Sequence, residues 1–95
     1  MAIQSFADPI AKAFFESGKA GKAPWANLSA VVRRKLDMVS YASKLEDLKA
    51  PPGNRLEALS GKLSGKHSIR INGQWRVVFR WTSAGPTEVE VIDYH

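Results

Sequence analysis

The spacing of apolar residues changes once along this chain, and that change most constrains what it can fold into. Ile69, Ile71, Trp75, Val77, Phe79 and Trp81 are all odd-numbered, while Ser68, Arg70, Gln74, Arg76 and Arg80 are even-numbered. A period of two predicts a half-buried antiparallel hairpin with one apolar and one basic face. Val78 is the exception on the basic face. Earlier in the chain, Leu28, Val31, Val32, Leu36 and Val39 fall at helical spacing and predict a helix from about Trp25 to Ala42. Helices first and strands second imply an α+β fold, with the N-terminal helices packed on one face of an antiparallel sheet. The 95 residues suit a single domain, 1–95.

Punctuation residues place the boundaries. Ile3 to Phe6 reads as a short edge strand. Asp8 followed by Pro9 starts a helix, because the carboxylate caps free N–H groups and proline suits the first turn. Ile10, Ala13 and Phe14 would share its buried face, and Gly18 would end it. Arg33, Arg34 and Lys35 read as the solvated side of the second helix. Leu45 and Leu48 suggest a helical turn before Pro51-Pro52-Gly53, which stops any helix. Ala84-Gly85-Pro86 would turn the chain into a last strand, Thr87 to Asp93, with Val89 and Val91 facing the core and Tyr94 on the opposite side.

The hairpin connection follows from the alternation. A two-residue loop at Asn72-Gly73 would put Ile69 on the same face as Arg76, against the pattern. A three-residue loop, Ile71-Asn72-Gly73, pairs Arg70 with Gln74 and places Gly73 at the left-handed position. It also gathers Ser68, Arg70 and Arg76 on one open face.

Composition narrows the chemistry. Fourteen Lys and Arg against nine Asp and Glu give a net charge of +5, which suits phosphate backbones as well as plain solubility. The absence of cysteine excludes a thiol nucleophile, a disulfide framework and a thiolate zinc site. No apolar run follows a basic start, and none approaches the roughly 20 residues of a membrane helix. A cytoplasmic protein without a membrane partner is expected. His67 and His95 do not form a metal signature, and there is no Gly-rich phosphate loop or serine elbow. Neither a metal nor a cofactor is expected.

Metal-free cleavage of RNA needs a base for the ribose 2′-hydroxyl, a cation for the phosphorus oxygens and an acid for the leaving 5′-oxygen. Arg on an open strand face, with Tyr94 and His95 at a strand end, supplies such a set. Each also has an ordinary reading: a terminal histidine frays, and tyrosine and arginine are common on exposed sheet faces. Trp75 and Trp81 read as core residues.

Three segments together carry a resemblance. Pro51-Pro52-Gly53-Asn54-Arg55-Leu56-Glu57-Ala58-Leu59, Ser68-Ile69-Arg70-Ile71-Asn72-Gly73-Gln74-Trp75-Arg76 and Asp93-Tyr94-His95 resemble, in order and spacing, signatures of HigB-type toxins of the RelE/ParE superfamily, with the GraT-like HigB subgroup the nearest in look. Ile3-Gln4-Ser5-Phe6 matches as well, so the resemblance spans the chain. It implies a RelE-like fold, ribosome-dependent cleavage of messenger RNA in the ribosomal A site, and a HigA-like helix-turn-helix antitoxin as partner, alongside ribosomal RNA and the message. It implies that Arg76 contacts the scissile phosphate region and that Asp93, Tyr94 and His95 contribute to the active site. Glu57 is a further catalytic candidate. Arg55, Lys62, Lys66, His67 and Arg70 are candidate RNA contacts. Some HigB toxins carry a histidine and a lysine in the segment aligned with Glu57 to Gly61, where this chain has Glu57 and Ser60. Lys62 could take over the lysine's part. Two other readings stay open: a non-catalytic gyrase poison, as in ParE toxins, and a degenerate toxin that only binds its antitoxin.

Overall fold

The computed structural model describes residues 2–94. Two helices, α1 (Pro9–Ser17) and α2 (Ser29–Tyr41), precede four strands, β1 (Glu57–Ala58), β2 (His67–Arg70), β3 (Trp75–Thr82) and β4 (Gly85–Asp93). The strands form one antiparallel sheet in the order β1-β2-β3-β4. Short 3-10 turns at Ala26–Leu28, Leu45–Lys49, Pro52–Asn54 and Gly61–Leu63 join these elements. No helix among the described residues is long and apolar enough to cross a membrane.

The core follows the two periods. Ala11 and Phe14 of α1, and Val32, Leu36 and Val39 of α2, are buried in one cluster with Ile69, Ile71, Val77, Phe79, Val89 and Val91. Both helices therefore cover the odd-numbered face of the hairpin, and the even-numbered face carries mostly polar side chains, with Val78 the fully buried exception. Trp75 and Trp81 pack against the cluster as expected. Trp25 is fully buried, with its ring edge-on to Phe14 at 5.1 Å.

Asp8 fixes how α1 meets the sheet. Its Oδ1 accepts from the amides of Ile10 (2.9 Å) and Ala11 (3.2 Å), as an N-cap should, and its Oδ2 accepts from the Val91 amide of β4 at 3.3 Å. Gly18 closes the helix in the left-handed conformation. With its start tied to β4, α1 turns Ala11 and Phe14 inward and leaves Ile10 48% exposed, so the expected Ile10–Ala13–Phe14 stripe is rotated. The N-terminal segment is an edge partner of β4 rather than a full strand: Phe6 bridges Val89 in parallel, and Gln4 donates to the Pro86 carbonyl.

Three further expectations are corrected. Lys35 is not on a solvated face. It is buried, and its Nζ donates to Asn54 Oδ1 at 2.6 Å. Burial, then the charge of Arg34, lowers its pKa from the ordinary lysine value. The hairpin register pairs Arg70 with Arg76 and Ile69 with Val77, so the tip is Asn72–Gln74. Asn72 decides this, because its Oδ1 accepts from the amides of Gln74 (2.9 Å) and Trp75 (2.8 Å) and builds the turn from its own side chain. Gly73 is not among the positive-φ residues. A two-residue register offset preserves faces, so the odd/even assignment survives the corrected loop. The final turn is Ser83-Ala84, and β4 already begins at Gly85, which pairs with Thr82.

Asn54 is fully buried, and besides Lys35 it serves the carbonyls of Leu48 and Ala50, each at 3.2 Å from Nδ2. Asn54→Ala would strand a buried ammonium and two carbonyls. It should lower the unfolding free energy by about 2–3 kcal/mol, measured by urea denaturation. The double variant with Lys35→Met should cost less than the sum of the singles by at least about 0.5 kcal/mol.

Candidate functional site

The even-numbered face carries its charges in rows set by the register. Arg70 and Arg76 lie directly opposite each other, with Ile92 beyond them on β4. The next row is Glu57, Ser68, Val78 and Glu90. Facing like charges destabilise a sheet, so the first row has to be held by something else.

Arg76 is held on several sides. Its Nε donates to Ser68 Oγ at 2.7 Å, and Nη2 donates to the Arg55 carbonyl at 2.7 Å. Glu57 Oε1 lies 4.0 Å from Nη1, and the Tyr94 ring sits 5.4 Å from the guanidinium carbon. Only 11% of the Arg76 side chain is exposed. Ser68 is fully buried, which keeps its hydroxyl committed to this contact. The guanidinium retains N–H groups not engaged by these two bonds, in a fixed orientation.

Arg55 presents its carbonyl from a left-handed backbone, φ 46°, which costs a non-glycine residue about 1–2 kcal/mol. The buried Asn54 beside it and the bond from Arg76 offset that strain. Arg55 joins Arg70, Arg76, Asn72, Gly73 and Tyr94 around a cleft of about 290 Å³. A Cβ on Gly73 would stand 3.7 Å from Arg70 Nη2, so this wall is backbone that Arg70 closely approaches. Among the described residues, neither Arg55 nor Arg70 makes an ion pair with a carboxylate.

The structure thus gathers Arg55, Arg70, Arg76 and Tyr94 around one cleft, with Glu57 touching Arg76 from the side. It does not bring the other candidates there. Asp93 alternates with Tyr94 and does not line the cleft; its Oδ2 accepts from Gln74 Nε2 at 2.9 Å. Lys66 pairs with Glu88 at 3.6 Å, and Arg80 binds the same carboxylate at 2.9 Å. That cluster is about 13 Å along the strand from Arg70, at 3.3 Å per residue. Lys62 is exposed on the Gly61–Leu63 turn, away from the cleft lining. His67 has the parity of Ile69, so it belongs to the helix side. It lines a different depression with Leu45, Leu56 and Ala58, and its Nδ1 is buried without a hydrogen-bond partner among the described residues. His95 lies outside the described residues. Asn72 and Gly73, read from the sequence only as a turn, prove to be cleft walls; their place in a loop between two arginine-bearing strands was the available signal.

Comparison with known proteins decides the family. A family model described as the RelE-like toxin of the type II toxin–antitoxin system HigB matches residues 4–95. This chain belongs to the HigB-like toxin family. It is a toxin of the type II toxin–antitoxin class. Toxin HigB-1 of Vibrio cholerae is 38% identical over 81 residues, covering 85% of this chain and 84% of that protein. An uncharacterized protein of Haemophilus influenzae is 36% identical over 78 residues, covering 82% of this chain and 77% of its own length. The fold is that of one chain in the YoeB–YefM complex from Staphylococcus aureus, with a TM-score of 0.61 over 100% of this chain and 97% of the matched chain at 17% identity. The RelE-like α+β fold expected for a HigB toxin is therefore the fold observed.

Ser68→Ala in this HigB-like toxin removes the acceptor for Arg76 Nε. It should cost about 1–2 kcal/mol in denaturant unfolding. It should also speed solvent exchange of the Arg76 Nε proton, observable by NMR, without unfolding the sheet.

Proposed function

We propose that this HigB-like toxin is a ribosome-dependent endoribonuclease that cuts messenger RNA in the decoding site, in the cytoplasm, and is neutralised by a HigA-like helix-turn-helix antitoxin. One observation carries the reading: three arginines, Arg55, Arg70 and Arg76, line one cleft together with an aromatic residue, Tyr94. The chain bears the cost of this like-charge gathering with anchors on Arg76, and an anionic ligand is what would relieve it. An RNA backbone supplies the anion, and its bases suit the Tyr94 ring.

The chemistry is transesterification. A base removes the proton of the ribose 2′-hydroxyl, and the 2′-oxygen bonds to phosphorus. The bond from phosphorus to the 5′-oxygen breaks as an acid protonates that oxygen, leaving a 2′,3′-cyclic phosphate and a 5′-hydroxyl. Arg76 stabilises the charge that develops on the phosphorus oxygens, from an orientation set before the substrate arrives. Arg55 and Arg70 hold the flanking phosphates. Tyr94 orients the nucleotide. Proton transfer falls to Glu57, beside Arg76, and to His95, which follows Tyr94 in the sequence. These groups suffice without a metal. Binding in the A site adds contacts to ribosomal RNA and presents the message in an extended, cleavable form.

Primer extension on translated messages tests this. Discrete cuts should appear only with ribosomes present, and Arg76→Ala should slow cleavage about 10²- to 10³-fold. A circular dichroism melt would confirm that the variant folds. Wild-type rates in Arg76→Ala, cutting of free RNA at the same rate, or gyrase-dependent DNA breaks without message cleavage would each sink the proposal.

A further inference from the structure

The β3–β4 ladder ends at the pair Trp75 and Asp93, so Tyr94 lies one residue past its final pair. Residues beyond the last pair of a ladder fray unless something ties them down. Yet the Tyr94 ring stands over Arg76 and forms part of the cleft. What ties it down is Gln74, at the hairpin tip.

Among the described residues Gln74 makes three hydrogen bonds, and all serve this end of the sheet. Its carbonyl accepts from the Tyr94 amide at 2.7 Å. Its Nε2 donates to Asp93 Oδ2 at 2.9 Å. Its own amide donates to Asn72 Oδ1 at 2.9 Å, which fixes the tip from which it reaches. One residue thus clamps two successive residues of the strand end, through backbone to one and side chain to the other. Neither Gln74 nor Asp93 lines the cleft. By strand alternation, Asp93 leaves the backbone on the side opposite Tyr94.

We propose that Gln74 is a positioning residue, and that Gln74 and Asp93 form a latch that holds Tyr94 in place over Arg76. The proposal rests on the nuclease reading for its effect on rate, but not for its effect on structure. It gives Asp93 a holding role in place of the catalytic one implied by the family resemblance. The bond is charge-assisted and geometrically specific, but it lies at the surface, so its loss would leave the folded domain intact. The consequence is local: the ring would sample positions away from the guanidinium, and small misplacements at a reacting centre are costly in rate.

The experiment uses the full chain in four variants: Gln74→Ala, Asp93→Ala, the double alanine, and Asp93→Asn. An asparagine oxygen can still accept from Gln74 Nε2, so Asp93→Asn keeps the latch and removes the charge. In single-turnover cleavage on programmed ribosomes, Gln74→Ala and Asp93→Ala should each slow the rate constant about 10- to 100-fold. The half-saturating toxin concentration should change far less. The double variant should be no slower than the slower single, and Asp93→Asn should recover most of what Asp93→Ala loses. By NMR, Gln74→Ala should lose the ring-current shift of the Arg76 Nε proton and speed Tyr94 amide exchange at an unchanged melting temperature.

A Gln74→Ala protein with wild-type rate and wild-type Tyr94 exchange would overturn the latch. So would Asp93→Asn as slow as Asp93→Ala, which would assign Asp93 a role through its charge. If wild type itself cuts no message, the nuclease reading fails, and the NMR comparison still decides the latch.

Discussion

A guanidinium can be kept directly opposite another across two strands, and remain fixed, if its orientation is set by bonds that do not neutralise it. Arg76 meets that condition. Its two short hydrogen bonds go to neutral oxygens, the Ser68 hydroxyl and the Arg55 carbonyl, while the carboxylate of Glu57 stays at 4.0 Å. The positive charge is held still rather than cancelled. The arrangement around it, from the strained backbone of Arg55 to the buried hydroxyl of Ser68, follows from that requirement.

The holding structure reaches into the helical layer. Lys35 on α2 donates to Asn54, and Asn54 also ties the carbonyls of Leu48 and Ala50, so the Pro52–Asn54 turn is fixed against α2. Arg55 and Glu57 then leave that turn in the direction of Arg76. A buried lysine bound to a neutral amide is a costly way to fasten a loop, because the ammonium loses its water and gains no counter-charge among the described residues. Its use here is geometric: it places a carbonyl, where a simple apolar contact would leave the loop free to slide. The apolar core behaves differently. Ala11, Phe14, Val32, Leu36 and Val39 fasten the helices to the odd-numbered face without specifying any single atom of the cleft.

The two ends of the even-numbered face show how pairing changes what a cation can do. Arg80 and Lys66 share the carboxylate of Glu88 and are committed within the fold. Arg70 and Arg55 make no such pair among the described residues, and they face the same cleft as Arg76. Counting basic residues along the sequence could not separate these groups, since the partner of each lies on another strand.

The faces of the sheet, the α+β order, the capping of α1 by Asp8 and the family motifs were legible in the sequence, because local chemistry and short-range periodicity decide them. The alternation of apolar and basic residues through Ile69–Trp81 assigns each side chain to a face whatever the loop, which is why Arg70 and Arg76 could be placed together despite a misread tip. The tertiary structure alone decided the rest: the rotation of α1, the burial of Lys35, the location of His67 on the helix side, and the separation of Lys66 and Asp93 from the cleft. Each depends on a partner far away in sequence, such as Val91 for Asp8 or Asn54 for Lys35, and no periodicity within one segment encodes the position of another. Sequence pattern sets which side of an element is wet or dry. Only packing between elements sets which atoms meet.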